Sequence, residues 1–320
     1  MNRREFLGTV AAAAALPALR GQGQGQGTGT PANEWGTPVF DLHFHLRPKP
    51  ESNLAHLDGA GVTKANLLTR GDALEQVKAL EAAAPGRFTW FNSYDVTKPD
   101  AEQVLTRAVK DGAQGFGEMK FHVAADGPEL RRIYALAADL HVPILVHFQE
   151  VDHSPNEGTW STGYAQTFAS ILKAYPKTTF LGHADAFWAN LSADYHNEAA
   201  YPAGPIKRGG VTDRWLGDHP NLFGDISANS GNNALSRDPE FTAEFLKRHQ
   251  DKLLFGSDCS CSDGHGAGVS QANNPAATRL AGKCVARETL GVLKRSASPD
   301  VFRKIAWGNV HKRLRIQENA

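Results

Sequence analysis

From Pro38 onward, short apolar runs alternate with amphipathic stretches of helical period. Helical patterns cover residues 72–84, 99–111, 128–140, 163–174 and 239–249, and the eight strand-like runs are 37–43, 62–68, 88–94, 115–121, 143–147, 178–183, 222–227 and 252–258. Strands that alternate with helices predict a parallel sheet, and eight such units predict a single closed (β/α)₈ barrel. A doubly wound open sheet is the competing architecture, but no Gly-x-Gly-x-x-Gly turn follows the first run.

Length and charge agree with one barrel domain. The chain has 320 residues, and a barrel of this kind needs about 250, which leaves room for long loops. Lys and Arg total 34 and so do Asp and Glu, which gives a formal net charge of zero. There is no polybasic tract, so nucleic acid is not an expected partner.

The N-terminal segment has the character of a targeting sequence. Arg3 and Arg4 precede Phe6, Leu7 and an alanine-rich stretch, a pattern that resembles a twin-arginine export signal. The stretch is shorter than the roughly 20 apolar residues of a membrane span. We therefore predict a signal and a Gly/Gln-rich linker over 1–33, a barrel over 34–320, and export to the periplasm or beyond by the twin-arginine machinery. A basic helix retained on a cytoplasmic protein is the alternative.

The chain contains three cysteines, and the sequence does not decide between free thiols and one disulfide bridge. Cys259, Cys261 and Cys284 cannot build a disulfide framework, although one bridge could form in an oxidising compartment. A Cys-x-Cys pair alone supplies too few ligands for a zinc site.

Two long connections follow predicted strands. Residues 149–164 leave the fifth strand and residues 184–221 leave the sixth, on the side where barrel enzymes place their active-site loops. The second connection is rich in aromatic and polar residues, which indicates a substrate-facing loop or lid. Alternatively, this connection could only pack against the barrel or could contact a second subunit, and a homo-oligomer is therefore possible.

Histidines and one aspartate end several predicted strands. His43 and His45 are two apart on the first strand, so both imidazoles can face the barrel mouth while Phe44 packs outward. His147, His183 and Asp258 end the fifth, sixth and eighth strands. Each could be an ordinary hydrogen-bonding residue, but five such positions on one rim predict a divalent-metal site.

Three motifs resemble the amidohydrolase superfamily, and specifically its amidohydrolase-related branch of metal-dependent hydrolases and decarboxylases. They are Asp41-Leu-His-Phe-His45, Leu253-Leu-Phe-Gly-Ser-Asp258 and Trp307-Gly-Asn-Val-His311. The resemblance covers about 39–314. It implies metal ligation by His43, His45, His147, His183 and Asp258, with Zn²⁺ as the first expectation and Mn²⁺ or Fe²⁺ as alternatives.

The fourth strand offers Glu118 and Lys120, two residues apart. In relatives with two metals this strand supplies a bridging glutamate or a carboxylated lysine, and the Gly-Glu pair resembles the glutamate form of TatD-type deoxyribonucleases. We expect Glu118 to be a ligand. Lys120 would bind an anionic substrate or be carboxylated, and His122 would line the pocket. With a single metal, His183 would be free for proton transfer.

The resemblance implies a metal-activated water that attacks a carbonyl centre of an amide, lactone or ester. Asp258 would act as general base and then acid, and His183 would position the substrate or assist proton transfer. Asp41 and Asp185 are candidates to orient the imidazoles. Three alternatives remain: a metal-dependent decarboxylase, a binuclear phosphoesterase, and an inactive exported metal-binding barrel. A small molecule is the expected substrate.

Overall fold

The computed structural model describes residues 33–47, 49–153, 156–269 and 279–314. The predicted export signal therefore lies, apart from Asn33, outside the described residues. Among the described helices, none combines the length and the hydrophobicity needed to span a bilayer.

Eight strands form one parallel sheet in sequence order, which confirms the predicted (β/α)₈ barrel. Their bounds are β1 Phe40–His45, β2 Lys64–Arg70, β3 Phe88–Ser93, β4 Phe116–Met119, β5 Ile144–His147, β6 Phe180–His183, β7 Leu222–Ile226 and β8 Leu253–Phe255. β5 and β6 pair in register from Ile144 with Phe180 to His147 with His183. That register sets two predicted site residues side by side at the carboxyl ends of their strands.

Helices occupy the connections. They are α1 Pro50–Ala60, α2 Leu74–Ala83, α3 Ala101–Lys110, α4 Pro128–Asp139, α5 Tyr164–Ala174, α6 Asp185–Ala189, α7 Val211–Asp218, α8 Ala228–Ser236, α9 Pro239–Arg248, α10 Val285–Ser296, α11 Pro299–Arg303 and α12 Asn309–Leu314, with a π-helical turn at Lys304–Gly308. The predicted helical patterns correspond to α2–α5 and α9. α1 begins with a proline in its first turn and ends at Gly61, whose φ of +68° suits glycine.

The apolar core has an inner and an outer layer. One cluster takes residues from seven of the eight strands and from α12, and so fills the barrel: Phe40, Leu42, Leu68, Phe91, Leu145, Leu181, Phe223, Leu254, Val310 and Leu314. The other cluster lies between the strands and the helices. β1 shifts register between Asp41 and Phe44, and Phe44 packs in the outer layer against Phe88. The shift changes the alternation of β1, so its histidines face the mouth above the inner layer.

The seam between β1 and β8 is held largely by side-chain and loop contacts. Asp41 accepts hydrogen bonds from the Ser257 amide at 2.8 Å and from its hydroxyl at 2.5 Å. The Asp258 amide donates to the His43 carbonyl at 2.8 Å. On the other flank of β8, the Asn309 amide donates to the Leu253 carbonyl at 2.7 Å. The first three bonds fix Ser257 and Asp258, which follow β8, against the first strand, and the fourth joins β8 to α12.

Candidate active site

His43 is fully buried, as is His183. The Nδ1 atom of His43 lies 2.7 Å from Asp225 Oδ2, near the end of β7. The Ser227 hydroxyl donates to the same carboxylate oxygen at 2.7 Å and lies 2.7 Å from His183 Nδ1. One carboxylate and one hydroxyl therefore orient two imidazoles so that their Nε2 atoms point to the barrel axis.

His45 and Asp258 complete one side of the site. His45 Nε2 lies 3.3 Å from His43 Nε2 and 3.5 Å from Asp258 Oδ1. His43 Nε2 lies 3.8 Å from the same carboxylate oxygen. The Asp258 side chain is 28% exposed, so it faces solvent as well as the imidazoles.

Glu118 of β4 lies between the two halves of the site. Its Oε2 atom is 3.5 Å from His45 Nε2, and its Oε1 atom is 3.4 Å from His183 Nε2. Oε1 also contacts His147 Nδ1, whose ring is held from the other side by Gln149 Oε1 at 2.9 Å from Nε2. Four imidazoles and two carboxylates thus converge on one small volume.

These residues fit a divalent ion. Two overlapping groups each bring three ligand atoms within 4.8 Å of one another, namely His43–Glu118–His183 and His43–His45–Asp258. Within the described part of the chain, the buried Nε2 atom of His183 makes no hydrogen bond, although Glu118 Oε1 lies 3.4 Å away. A buried imidazole nitrogen without a partner costs free energy, and a metal ion would satisfy it. Nitrogen and carboxylate donors are those that Zn²⁺, Mn²⁺ and Fe²⁺ accept.

Charge within the cluster is unevenly shared. Burial opposes a positive His43, but the carboxylates of Asp258 and Asp225 outweigh it and raise the pKa of His43 to about 10. Burial, followed by repulsion from His43, lowers the pKa of His183 to about 3. Burial favours the neutral form of Glu118, but the neighbouring His147 holds the pKa of the Glu118 carboxyl well below the usual range. The neutral imidazole of His183 and the ionised Glu118 are in the protonation states that bind metal, whereas the raised pKa of His43 means that a bound ion would have to displace its proton.

A cavity of about 240 Å³ opens on this cluster. Its lining is mostly polar and includes Lys120, His147, His153, His183, Asp185, Tyr201, Asn229, Ser230, Asp258 and Ser260. Tyr201 belongs to the long connection after β6, and His153 to the one after β5. His153 Nε2 lies 3.0 Å from the buried Asp185 Oδ1, which joins the two connections.

The two predicted substrate residues lie in different places. Lys120 lines the cavity, with its amine 5.1 Å from the centre of the Trp160 ring and 3.9 Å from Glu157 Oε1. His122 is exposed and is not among the described residues that line the cavity. Its ring stacks on Trp160 at 3.5 Å, and Nδ1 lies 2.8 Å from the Thr159 carbonyl.

The residues that orient the imidazoles differ from the two candidates considered in the sequence. Asp41 hydrogen-bonds to the His43 main chain and to Ser257, and Asp185 to His153. Neither contacts a ligand imidazole. Asp225, near the end of β7, holds His43, and Gln149 holds His147. The sequence did contain a signal for both residues. Each lies at or just after the end of a strand and two residues from another polar residue of the site: Gln149 from His147, and Asp225 from Ser227.

The sequence model of a family described as amidohydrolase matches residues 44–316. The chain belongs to the amidohydrolase family. No curated protein matches the sequence of this amidohydrolase.

Solved structures share its fold. A dihydroorotase from Campylobacter jejuni is 17% identical with a TM-score of 0.54, over 88% of this chain and 85% of that one. A 2,6-dihydroxybenzoate decarboxylase with its substrate is 14% identical with a TM-score of 0.50, over 88% and 100%. A TatD homologue from Escherichia coli is 14% identical with a TM-score of 0.51, over 87% and 98%. At these identities the likeness concerns the barrel alone.

Proposed function

We propose that this amidohydrolase hydrolyses a carbonyl compound, an amide, a lactone or an ester, with Asp258 as the residue that accepts a proton from water and passes it to the leaving group. The position of Asp258 carries the proposal. Its carboxylate lies 3.5–3.9 Å from nitrogen atoms of His43, His45 and His183 and lines the polar cavity. It therefore has access to the ligand cluster and to a substrate together.

The ligand cluster supports metal-assisted chemistry. A divalent ion held there would act as a Lewis acid and lower the pKa of water toward neutrality. The protein's own groups supply orientation: Asp225 and Ser227 fix His43 and His183, and Gln149 fixes His147. The main chain of Asp258 is fixed to β1 by its hydrogen bond to the His43 carbonyl, so the carboxylate starts from a backbone position next to the imidazoles.

The cavity supports a small, polar substrate. Its volume of about 240 Å³ is below the usual range for drug-sized ligands, roughly 300–1,000 Å³. The Lys120 amine supplies a positive charge at the wall, and Tyr201, Asn229 and Ser230 add hydrogen-bonding groups. We infer that Lys120 binds an anionic group of the substrate.

Phosphoester hydrolysis is the second candidate, and the position of Glu118 favours it. This carboxylate contacts His45 on one side and His147 and His183 on the other, as a group that bridges two ions would. Two ions about 3.5–4 Å apart are typical of phosphatases and nucleases.

Turnover by reconstituted protein tests the proposal. Protein depleted of metal would be loaded with Zn²⁺, Mn²⁺ or Fe²⁺ and assayed against lactones, N-acyl amino acids, phosphoesters and aromatic carboxylic acids. We expect hydrolysis of a carbonyl substrate, and we expect Asp258→Asn to lower kcat by about 10²–10⁴-fold. Asp213→Asn, a change of the same kind in α7, should keep its turnover.

The other outcomes are equally informative. Release of carbon dioxide without hydrolysis would assign a decarboxylase. Phosphate release by protein with two ions per chain would assign a phosphoesterase. Full turnover by Asp258→Asn would refute the assigned role of this carboxylate. A protein that binds none of the added ions would rule out metal-assisted hydrolysis and favour the alternative of an inactive barrel.

A further inference from the structure

A second group of metal-ligand side chains lies behind the candidate active site. It consists of His56 on α1, Cys259 and Cys261 after β8, and Cys284 at the start of α10. All four residues are at most 5% exposed. Their ligand atoms lie within 4.8 Å of one another, although they come from three separate parts of the chain.

The distances within this group, 3.2–3.8 Å, are close to the edges of a tetrahedral metal site, and two of them are slightly shorter. Cys259 Sγ lies 3.3 Å from Cys261 Sγ and 3.8 Å from Cys284 Sγ, and His56 Nδ1 lies 3.2 Å from Cys261 Sγ. With Zn–S bonds of about 2.3 Å and Zn–N bonds of about 2.0 Å, the edges of a tetrahedral site are roughly 3.5–3.8 Å. We propose that His56, Cys259, Cys261 and Cys284 bind a structural Zn²⁺ ion.

The charge of the surroundings supports three thiolates. Arg47 is 8% exposed, and its guanidinium donates to the carbonyls of Cys259 at 2.7 Å, Cys261 at 3.0 Å and His45 at 3.1 Å. Among the described residues, its hydrogen bonds all go to neutral oxygen atoms. A buried guanidinium needs a nearby anion, and the buried Asp41 carboxylate meets part of that need. Zn²⁺ with three thiolates and one neutral imidazole has a formal charge of −1, and Arg47 would offset it.

The backbone around Cys261 is also built for a thiolate. The amides of Gly264 and Gly266 both approach its sulfur, and the Gly266 amide also donates to Asp263 Oδ1 at 3.1 Å. Both glycines have positive φ, +73° and +114°, and a Cβ on Gly264 would lie 2.3 Å from the Ala60 amide nitrogen of α1. Only glycine allows this loop to approach α1 so closely. Amide donors to a ligating sulfur are a usual outer layer of metal–thiolate sites.

A disulfide explains less of this arrangement. The sulfur atoms are 3.3 Å apart or more, whereas a disulfide bond is about 2.05 Å long. One bridge would also leave a third buried cysteine and His56 without a role. A closed site with four protein ligands indicates structure and not catalysis. The ion would tie the residue after Asp258 to α1 and α10, and so brace the proposed proton acceptor.

Cobalt substitution of the full chain tests the site without any variant. Protein produced in medium with Co²⁺ in place of Zn²⁺ should show the near-ultraviolet charge-transfer band of thiolate–cobalt bonds and the intense visible bands of tetrahedral Co²⁺. His45→Ala, which removes a ligand of the other centre, should keep this spectrum. Cys284→Ser should lose the thiolate–cobalt band, and its metal content should be lower than that of the wild type by about one equivalent per chain.

Ser262→Ala, an alteration of the same loop beside Cys261, is the matched control and should keep both the spectrum and the metal content. If Cys284→Ser does not fold, the wild-type spectrum alone decides. Absence of the thiolate–cobalt band from folded wild-type protein would overturn the proposal. So would a disulfide between any two of the three cysteines, seen as the loss of two hydrogens in the intact mass. Neither result would bear on hydrolysis at the candidate active site.

Discussion

Asp225 should control metal affinity although it is not proposed as a ligand. Its Oδ2 atom lies 2.7 Å from His43 Nδ1, and neither side chain is exposed to solvent. Asp225→Asn replaces an ionised acceptor by a neutral amide and weakens the bond that fixes the tautomer and orientation of His43. Loss of such a partner typically costs 10–100-fold in metal affinity, which corresponds to about 1.4–2.8 kcal/mol.

The assay is competition for Zn²⁺ between the protein and a chromophoric chelator at fixed pH. Circular dichroism and the midpoint of thermal unfolding would show that the variant is folded. Asp213→Asn is the control for loss of a partly buried aspartate that also accepts a hydrogen bond from a histidine, and it should leave the affinity for Zn²⁺ as in the wild type. Unchanged affinity in folded Asp225→Asn would refute the reasoning, because it would mean that His43 is oriented without this carboxylate.

Two further predictions concern stability. Burial opposes the charge of Asp213, but the hydrogen bond from His249 lowers the pKa of the Asp213 carboxyl. The contribution of Asp213 to the free energy of unfolding is therefore present above the unfolded pKa of about 3.9, and it is lost as the pH falls through the lower folded pKa. Asp213→Asn should therefore lower the free energy of unfolding by about 1–3 kcal/mol at pH 7, with a smaller difference in acid denaturation series. A Cβ on Gly182 of β6 would lie 2.1 Å from the buried Phe187 ring, so Gly182→Ala should destabilise by about 1–3 kcal/mol. Gly217→Ala in α7, where the nearest atom is at 3.9 Å, should instead raise the midpoint of urea unfolding, and equal effects of the two changes would contradict this packing argument.

The sequence predicted the barrel because apolar residues recur with a different period in strands than in helices. Every predicted strand corresponds to a strand of the structure, with ends that move by up to a few residues; the last run, predicted over 252–258, is a strand only over Leu253–Phe255. α1 was not predicted because its sequence contains few apolar residues. Its ends depend instead on Pro50 and Gly61.

The candidate site was predictable where strand geometry alone placed a side chain. His45, His147 and His183 end their strands and His43 lies two residues before the end of β1, and strands of a barrel bring their carboxyl ends together. Partners that depend on two separate segments were not predictable. The bond between Asp225 and His43 joins residues 182 apart, and the group of His56 with Cys284 depends on how α1 and α10 pack behind β8.

The closure of the barrel at Asp41 and Ser257 also has a consequence for the order of folding. These hydrogen bonds join residues 216 apart in the chain. Contacts between such distant residues are slow to form, because the entropy of closing a long loop is lost before they stabilise anything. We expect the ribosome to release His43 and His45 long before Asp258 can reach them. The chemistry of the protein would then appear only in the final step of folding, and a nascent or truncated chain would be inert.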